Sequence, residues 1–131
     1  MDSLSTRMKG WLRGEIVDFG RQHREGPSEA LRRVAEEWWA MSRFPAIEFR
    51  DGVTGRRAAV RGGPDVWEIV MVAKDLEPDR TGPYDHFGGN VPREALDQAL
   101  AYYERFPDEI DHRIEENLRV AERLESVVRP G

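Results

Sequence analysis

The chain contains no cysteine, so neither a disulfide framework nor a thiolate metal site is available to it. Long apolar runs are missing as well. The longest, Ile69-Val70-Met71-Val72-Ala73, is about a quarter of the roughly 20 residues a membrane-spanning helix needs. The opening MDSLSTRMKGW has no apolar h-region of a secretion signal, which makes the cytoplasm the expected compartment. His23, His86 and His112 are scattered, and none falls in an HExxH or comparable metal spacing. There is no GxSxG elbow to expose a nucleophilic serine. The Gly-Gly pairs at 62 and 88 lack the Lys-Ser/Thr ending of a phosphate loop and read as turns. With no enzyme signature and no cofactor or metal motif, the chain is expected to work by binding rather than by catalysis.

What is present suits one small domain, or two very small ones sharing a core. The 131 residues are 39% hydrophobic and include four Trp, five Phe and three Tyr, enough to fill a modest interior that a partner subunit would enlarge. The formal charge of -5 argues against a uniformly basic nucleic-acid binder, but it averages two unlike ends. Residues 1 to 24 carry five basic against three acidic side chains, or +2, and residues 100 to 131 carry five against eight, or -3. The two ends therefore favour different partners.

Along the chain, Leu4, Thr6 and Met8 alternate with Ser3, Ser5, Arg7 and Lys9, the period-2 pattern of a short strand. Leu12, Ile16 and Phe19 then mark an amphipathic helix over 11–23, weakened by Gly10, Gly14 and Gly20. A second helix starts near Ser28 and places Leu31, Val34, Ala35 and Trp38 on one side. Alternation on either side of Asp51-Gly52-Val53-Thr54-Gly55 predicts a β-hairpin over 46–61, and Asp65 is placed to cap a short buried helix carrying Val66 to Ala73. The Pro- and Gly-rich segment 77–92 reads as loop with one helical turn around Tyr84 to Phe87. Pro92 opens a helix through Arg105 whose face carries Leu96, Ala99, Leu100 and Tyr103. Pro107 stops it, and Asp108 is expected to cap a last helix with Ile110, Ile114, Leu118, Ala121, Leu124 and Val128 on one stripe.

Two constellations invite chemistry. Asp108, Glu109 and Asp111 form a carboxylate cluster of the kind that holds Mg²⁺, yet acids in a first turn also complement the helix dipole, and no third ligand follows at a sensible spacing. The N-terminal strand turns Ser5, Arg7 and Lys9 outward. Two chains pairing such strands antiparallel would make a ribbon that fits the DNA major groove, with Arg13 and the start of the second helix near Ser28 on the phosphates. A frayed basic terminus on a helical hairpin is the bland alternative. Trp38 and Trp39, and Trp67 further on, read as core or dimer interface.

The segment STRMKGWLRGEIVDFGRQHREGPSEALRRVAEEWW resembles a divergent ribbon-helix-helix module. FRDGVTGRRAAVRGGPDVWEIV with ALDQALAYYERFPDEIDHRIEEN resembles the bacterial antitoxins of the domain-of-unknown-function-433 type, VapB-like in flavour. The resemblance implies a mainly α fold with a short N-terminal strand and a small hairpin. It comprises a ribbon-helix-helix-like DNA-binding and dimerisation segment over 1–44, a hairpin with a homeodomain-like helical unit over 45–106, and a partner-binding C-terminal helix over 107–131. It also implies a homodimer that binds operator DNA and neutralises a PIN-like ribonuclease toxin, with no cofactor and no membrane. Within it, Ser5, Arg7, Lys9, Arg13 and Ser28 are the DNA contacts. One of Arg113, Arg119, Arg123 and Arg129 would enter the acidic site of the toxin. The rival expectation is an interaction or scaffold dimer that binds no DNA.

Overall fold

Ile16 and Phe19 recur at helical spacing, and the chain over Gly10–Gln22 is the helix α1. It closes in a Schellman arrangement: the N–H of Glu25 donates to the carbonyl of Gly20 at 2.7 Å and that of Arg24 to Arg21 at 3.3 Å, with Arg24 in the left-handed region at φ 56°. Gly20 is needed for this closure. A Cβ there would stand 2.7 Å from the Glu25 carbonyl oxygen and 3.1 Å from the Cβ of Ala30. Pro27, whose missing N–H would be an orphan in any first turn, then opens α2, Pro27–Arg43. In the computed structural model, which describes residues 5–52, 55–75 and 82–128, the chain divides into two units, Met1–Ala40 and Met41–Gly131, so the boundary falls inside α2.

The second unit is built on a hairpin of β1, Ile47–Arg50, and β2, Arg57–Val60, antiparallel with Ile47 opposite Val60 and Arg50 opposite Arg57. Gly52 and Gly55 exchange two backbone hydrogen bonds of 3.0 Å to close it; Val53 and Thr54, read as part of its turn, lie outside the described residues. Then come α3, Val66–Asp75, the short α4, Pro83–Phe87, α5, Arg93–Arg105, and α6, Pro107–Val128. The fold is mainly helical, and α3 lies at its centre, packed on β2, α4, α5 and α6. Ile47, Val66, Ile69, Val70 and Leu96 are fully buried there. Each is worth roughly 1.5–3 kcal/mol relative to exposure, so this unit has a core of its own.

Three expectations need correction. Ser5 to Lys9 form no strand, because a strand in one chain has nothing to pair with; Ser3 and Leu4 lie outside the described residues, as does the loop over 77–81. The inward face of α5 is Ala95, Leu96, Ala99 and Tyr102 rather than the face through Leu100 and Tyr103. The stripe is rotated toward Tyr102, which meets Phe44, Phe49 and Phe106 at ring-centroid distances of 5.6, 6.3 and 4.8 Å. Finally, α6 begins at Pro107, which puts Asp108 inside the first turn instead of at the cap, since the proline ring is already set at a helical φ. The one-turn helix expected around Tyr84 to Phe87 is there as α4. Among the described residues no helix is long and apolar enough to cross a membrane.

Candidate functional site

Two carboxylates of the α5–α6 junction, Glu109 and Asp111, are engaged. The Tyr102 hydroxyl donates to Glu109 Oε2 at 2.8 Å, and the Tyr103 hydroxyl donates to Asp111 Oδ1 at 2.8 Å. Lys74 Nζ, on α3, reaches the same Asp111 oxygen at 2.9 Å and lies 5.1 Å from the centre of the Tyr103 ring. The hydrogen bond from Lys74, then that from Tyr103, holds the Asp111 carboxyl below its ordinary range; Tyr103 and Asp111 in turn push the Lys74 ammonium up. Consecutive tyrosines at the end of α5 thus pin two acids in the first two turns of α6. Among the described residues no three His, Cys, Asp or Glu side chains are placed to hold a metal ion. What this arrangement does chemically is fix the angle of a joint.

The other distinctive segment, GRRAAVRGGPDVWE, also folds into a structural cluster. Asp65 is buried at the start of α3, and its carbonyl accepts from Glu68 at 3.1 Å and Ile69 at 3.3 Å. Its carboxylate takes the Arg57 guanidinium of β2 and the Trp67 indole N–H, the latter at 3.1 Å, while Arg50 of β1 lies 3.9 Å away. Arg50 also donates to the carbonyls of Val60 and Gly63, so both strands are tied to the helix. Glu68 sits close by, and burial, followed by the charge of Asp65, raises its carboxyl above the usual range. The eight-residue separation of Arg57 and Asp65 carries no signal until the hairpin register is known.

Arg7, Arg13 and Ser28 of the expected DNA contacts come together. With Thr6, Met8, Ile16, Val17, Pro27 and Leu31 they line a cleft of about 460 Å³ against α1 and the start of α2. Its floor is apolar, and among the described residues its charges are two guanidinium groups. Ser5 and Lys9 are exposed on the same segment but do not line it. The surface of α5, by contrast, is committed within its own unit: Gln98 accepts from the backbone N–H of Ala46 at 2.7 Å, Arg93 stacks 4.5 Å from the Tyr84 ring, and Asp97 takes the Tyr84 hydroxyl. That hydrogen bond raises the Tyr84 phenol above its usual range.

The expected partner-binding arginines divide. Arg113 is turned inward, and its guanidinium donates to the carbonyl of Arg56. Arg119 and Arg123 lie on the exposed second half of α6, Arg119 only 3.9 Å from Glu115 in a solvated pair. Arg129 lies outside the described residues. The apolar stripe divides at the same place: Ile110 is buried, Ile114 is half-buried, and Leu118 and Leu124 are 50% and 61% exposed. Trp38 is 66% exposed, Trp39 is half-buried, and Trp67 is half-buried against Asp65. No protein-family model matches the chain, and no curated protein or solved structure matches it either.

Proposed function

We propose that this chain is the antitoxin of a type II toxin-antitoxin pair, which neutralises a PIN-like ribonuclease by direct binding and regulates its own transcription by binding operator DNA as a dimer. The observation that carries the proposal is the second half of α6. It extends beyond the packing of its own unit with Leu118, Leu124 and Val127 exposed and with Arg119 and Arg123 alongside. An amphipathic helix free on its apolar side is the form in which a chain enters a partner's groove. A guanidinium fork beside that face suits the carboxylates of a metal-dependent ribonuclease.

In this reading the first unit is ribbon-helix-helix-like: two chains pair the segments from Ser5 to Lys9 into a ribbon, Arg7 and Lys9 face DNA, and Arg13 and Ser28 hold the backbone. The second unit is the homeodomain-like scaffold. The gathering of Arg7, Arg13 and Ser28 around one cleft favours the basic face of this picture. The test has two arms. Inhibition of the ribonuclease encoded beside this chain should be lost in Arg119→Glu/Arg123→Glu. A mobility shift with the upstream DNA should weaken with salt and disappear in Arg7→Ala/Lys9→Ala. Full inhibition by the first variant sinks the toxin assignment.

A second reading, a scaffold dimer that binds only protein, is favoured by one observation: Leu31, Val34 and Trp38 present an open apolar stripe on α2 that needs no nucleic acid to explain it. Absence of a mobility shift at any salt concentration selects it.

A further inference from the structure

Two open surfaces of opposite charge lie on this chain, and we infer that they bind each other between two copies of it. The first is the cleft of α1 and α2, with Met8, Ile16 and Leu31 in its floor, Arg7 and Arg13 in its lining and no acid among the described residues that line it. The second is the exposed end of α6, where Leu118, Glu122 and Glu125 follow at i, i+4 and i+7 and so share one face. Among the described residues none of Arg7, Arg13, Glu122 and Glu125 takes part in an ion pair. The cleft therefore sets two guanidinium groups beside open apolar side chains, and the Leu118 face sets two carboxylates beside one, so the charges are of opposite sign.

A second copy is the occupant that fits both. Every chain brings one cleft and one α6 end in equal number, so copies of this chain can satisfy each other without a further partner. Apolar contact of Leu118 with the floor of the cleft supplies attraction. The Arg7 and Arg13 to Glu122 and Glu125 pairing fixes which way the helix lies and speeds encounter. This contact needs neither DNA nor a toxin, and because it uses Leu118, Arg7 and Arg13 it competes with both partners of the antitoxin reading.

The experiment is charge exchange with mixing, read by sedimentation of the full chain. One variant is made all-acidic at the contact, Arg7→Glu/Arg13→Glu. The other is made all-basic, Glu122→Arg/Glu125→Arg. All four positions are exposed, and far-ultraviolet circular dichroism confirms that each variant keeps its helices. The wild type is expected to self-associate, each variant alone to do so at least about tenfold more weakly, and the mixture to recover, because each variant then meets its complement on the other. A monomeric wild type, unimpaired variants, or a mixture as weak as its components overturns the inference.

Discussion

Between Met41 and Gly131, Val66, Ile69, Val70 and Leu96 are sealed from solvent, whereas the side chains at comparable helical spacing on α2, Leu31, Val34 and Trp38, stand open. Both sets obey the same periodicity. The difference is what each faces: the second unit closes a hairpin and three helices around α3, while in the first unit Ile16, Gly20 and Ala30 carry most of the burial. An apolar stripe thus becomes core in one place and binding surface in the other, and the first unit is where stability is expected to depend on association.

The comparison is broken most forcefully at Leu96. Leu96→Ala should cost about 4 kcal/mol in denaturant unfolding, within the range for emptying a fully buried leucine site. Asp65→Ala comes next, at about 3 kcal/mol, because Arg57 is then left part-buried without its carboxylate. In the first unit the sensitive position is Gly20. Gly20→Ala should cost about 2 kcal/mol by forcing its Cβ against the Glu25 carbonyl, and the same change at Gly14, where nothing lies within 4 Å, should do no harm. Val34→Ala, on the open stripe, should stay within about 0.5 kcal/mol for the dissociated chain. A large loss there would mean that the stripe is already covered.

The smallest effect is at the joint and is read from pH. The Asp111 carboxyl is held low, so its contribution is complete above its ordinary value of 3.8 and is lost as pH falls below that toward the lowered value. The stability gap between the wild type and Asp111→Asn should be flat from neutrality to about pH 5 and narrow in more acid solution. Glu68 runs the other way. Its raised carboxyl is strained at neutral pH and relieved as pH falls through the raised value, so Glu68→Gln should give a small gain in Tm at pH 7 that fades on acidification.

Local chemistry was legible in the residues. A helix starts close to Ser28, the strands on either side of Gly52 and Gly55 pair as a hairpin, and a one-turn helix forms over Pro83–Phe87 despite its glycine-rich surroundings. Arg7, Arg13 and Ser28 line one cleft, which their spacing in the sequence does not announce, while Arg113 and Arg119, six residues apart on one helix, have opposite situations. Nothing in their spacing separates them. Arg113 lies where α6 still runs along its own unit, and Arg119 lies beyond that point.

The YYERFPDEID stretch shows where the division falls. By itself the sequence determined that a helix ends near Phe106, that another begins at once, and that acids crowd its first turn, because proline geometry and helix dipoles act within a few residues. Only the tertiary structure decided that Tyr102 and not Tyr103 enters the core, that Tyr102 holds Glu109 while Tyr103 and Lys74 hold Asp111, and that the stripe of α6 is core up to Ile110 and open from Leu118. Those outcomes depend on α3 and the hairpin, which lie tens of residues away in the chain. Periodicity specifies a face, but only the packing of distant elements specifies what the face meets.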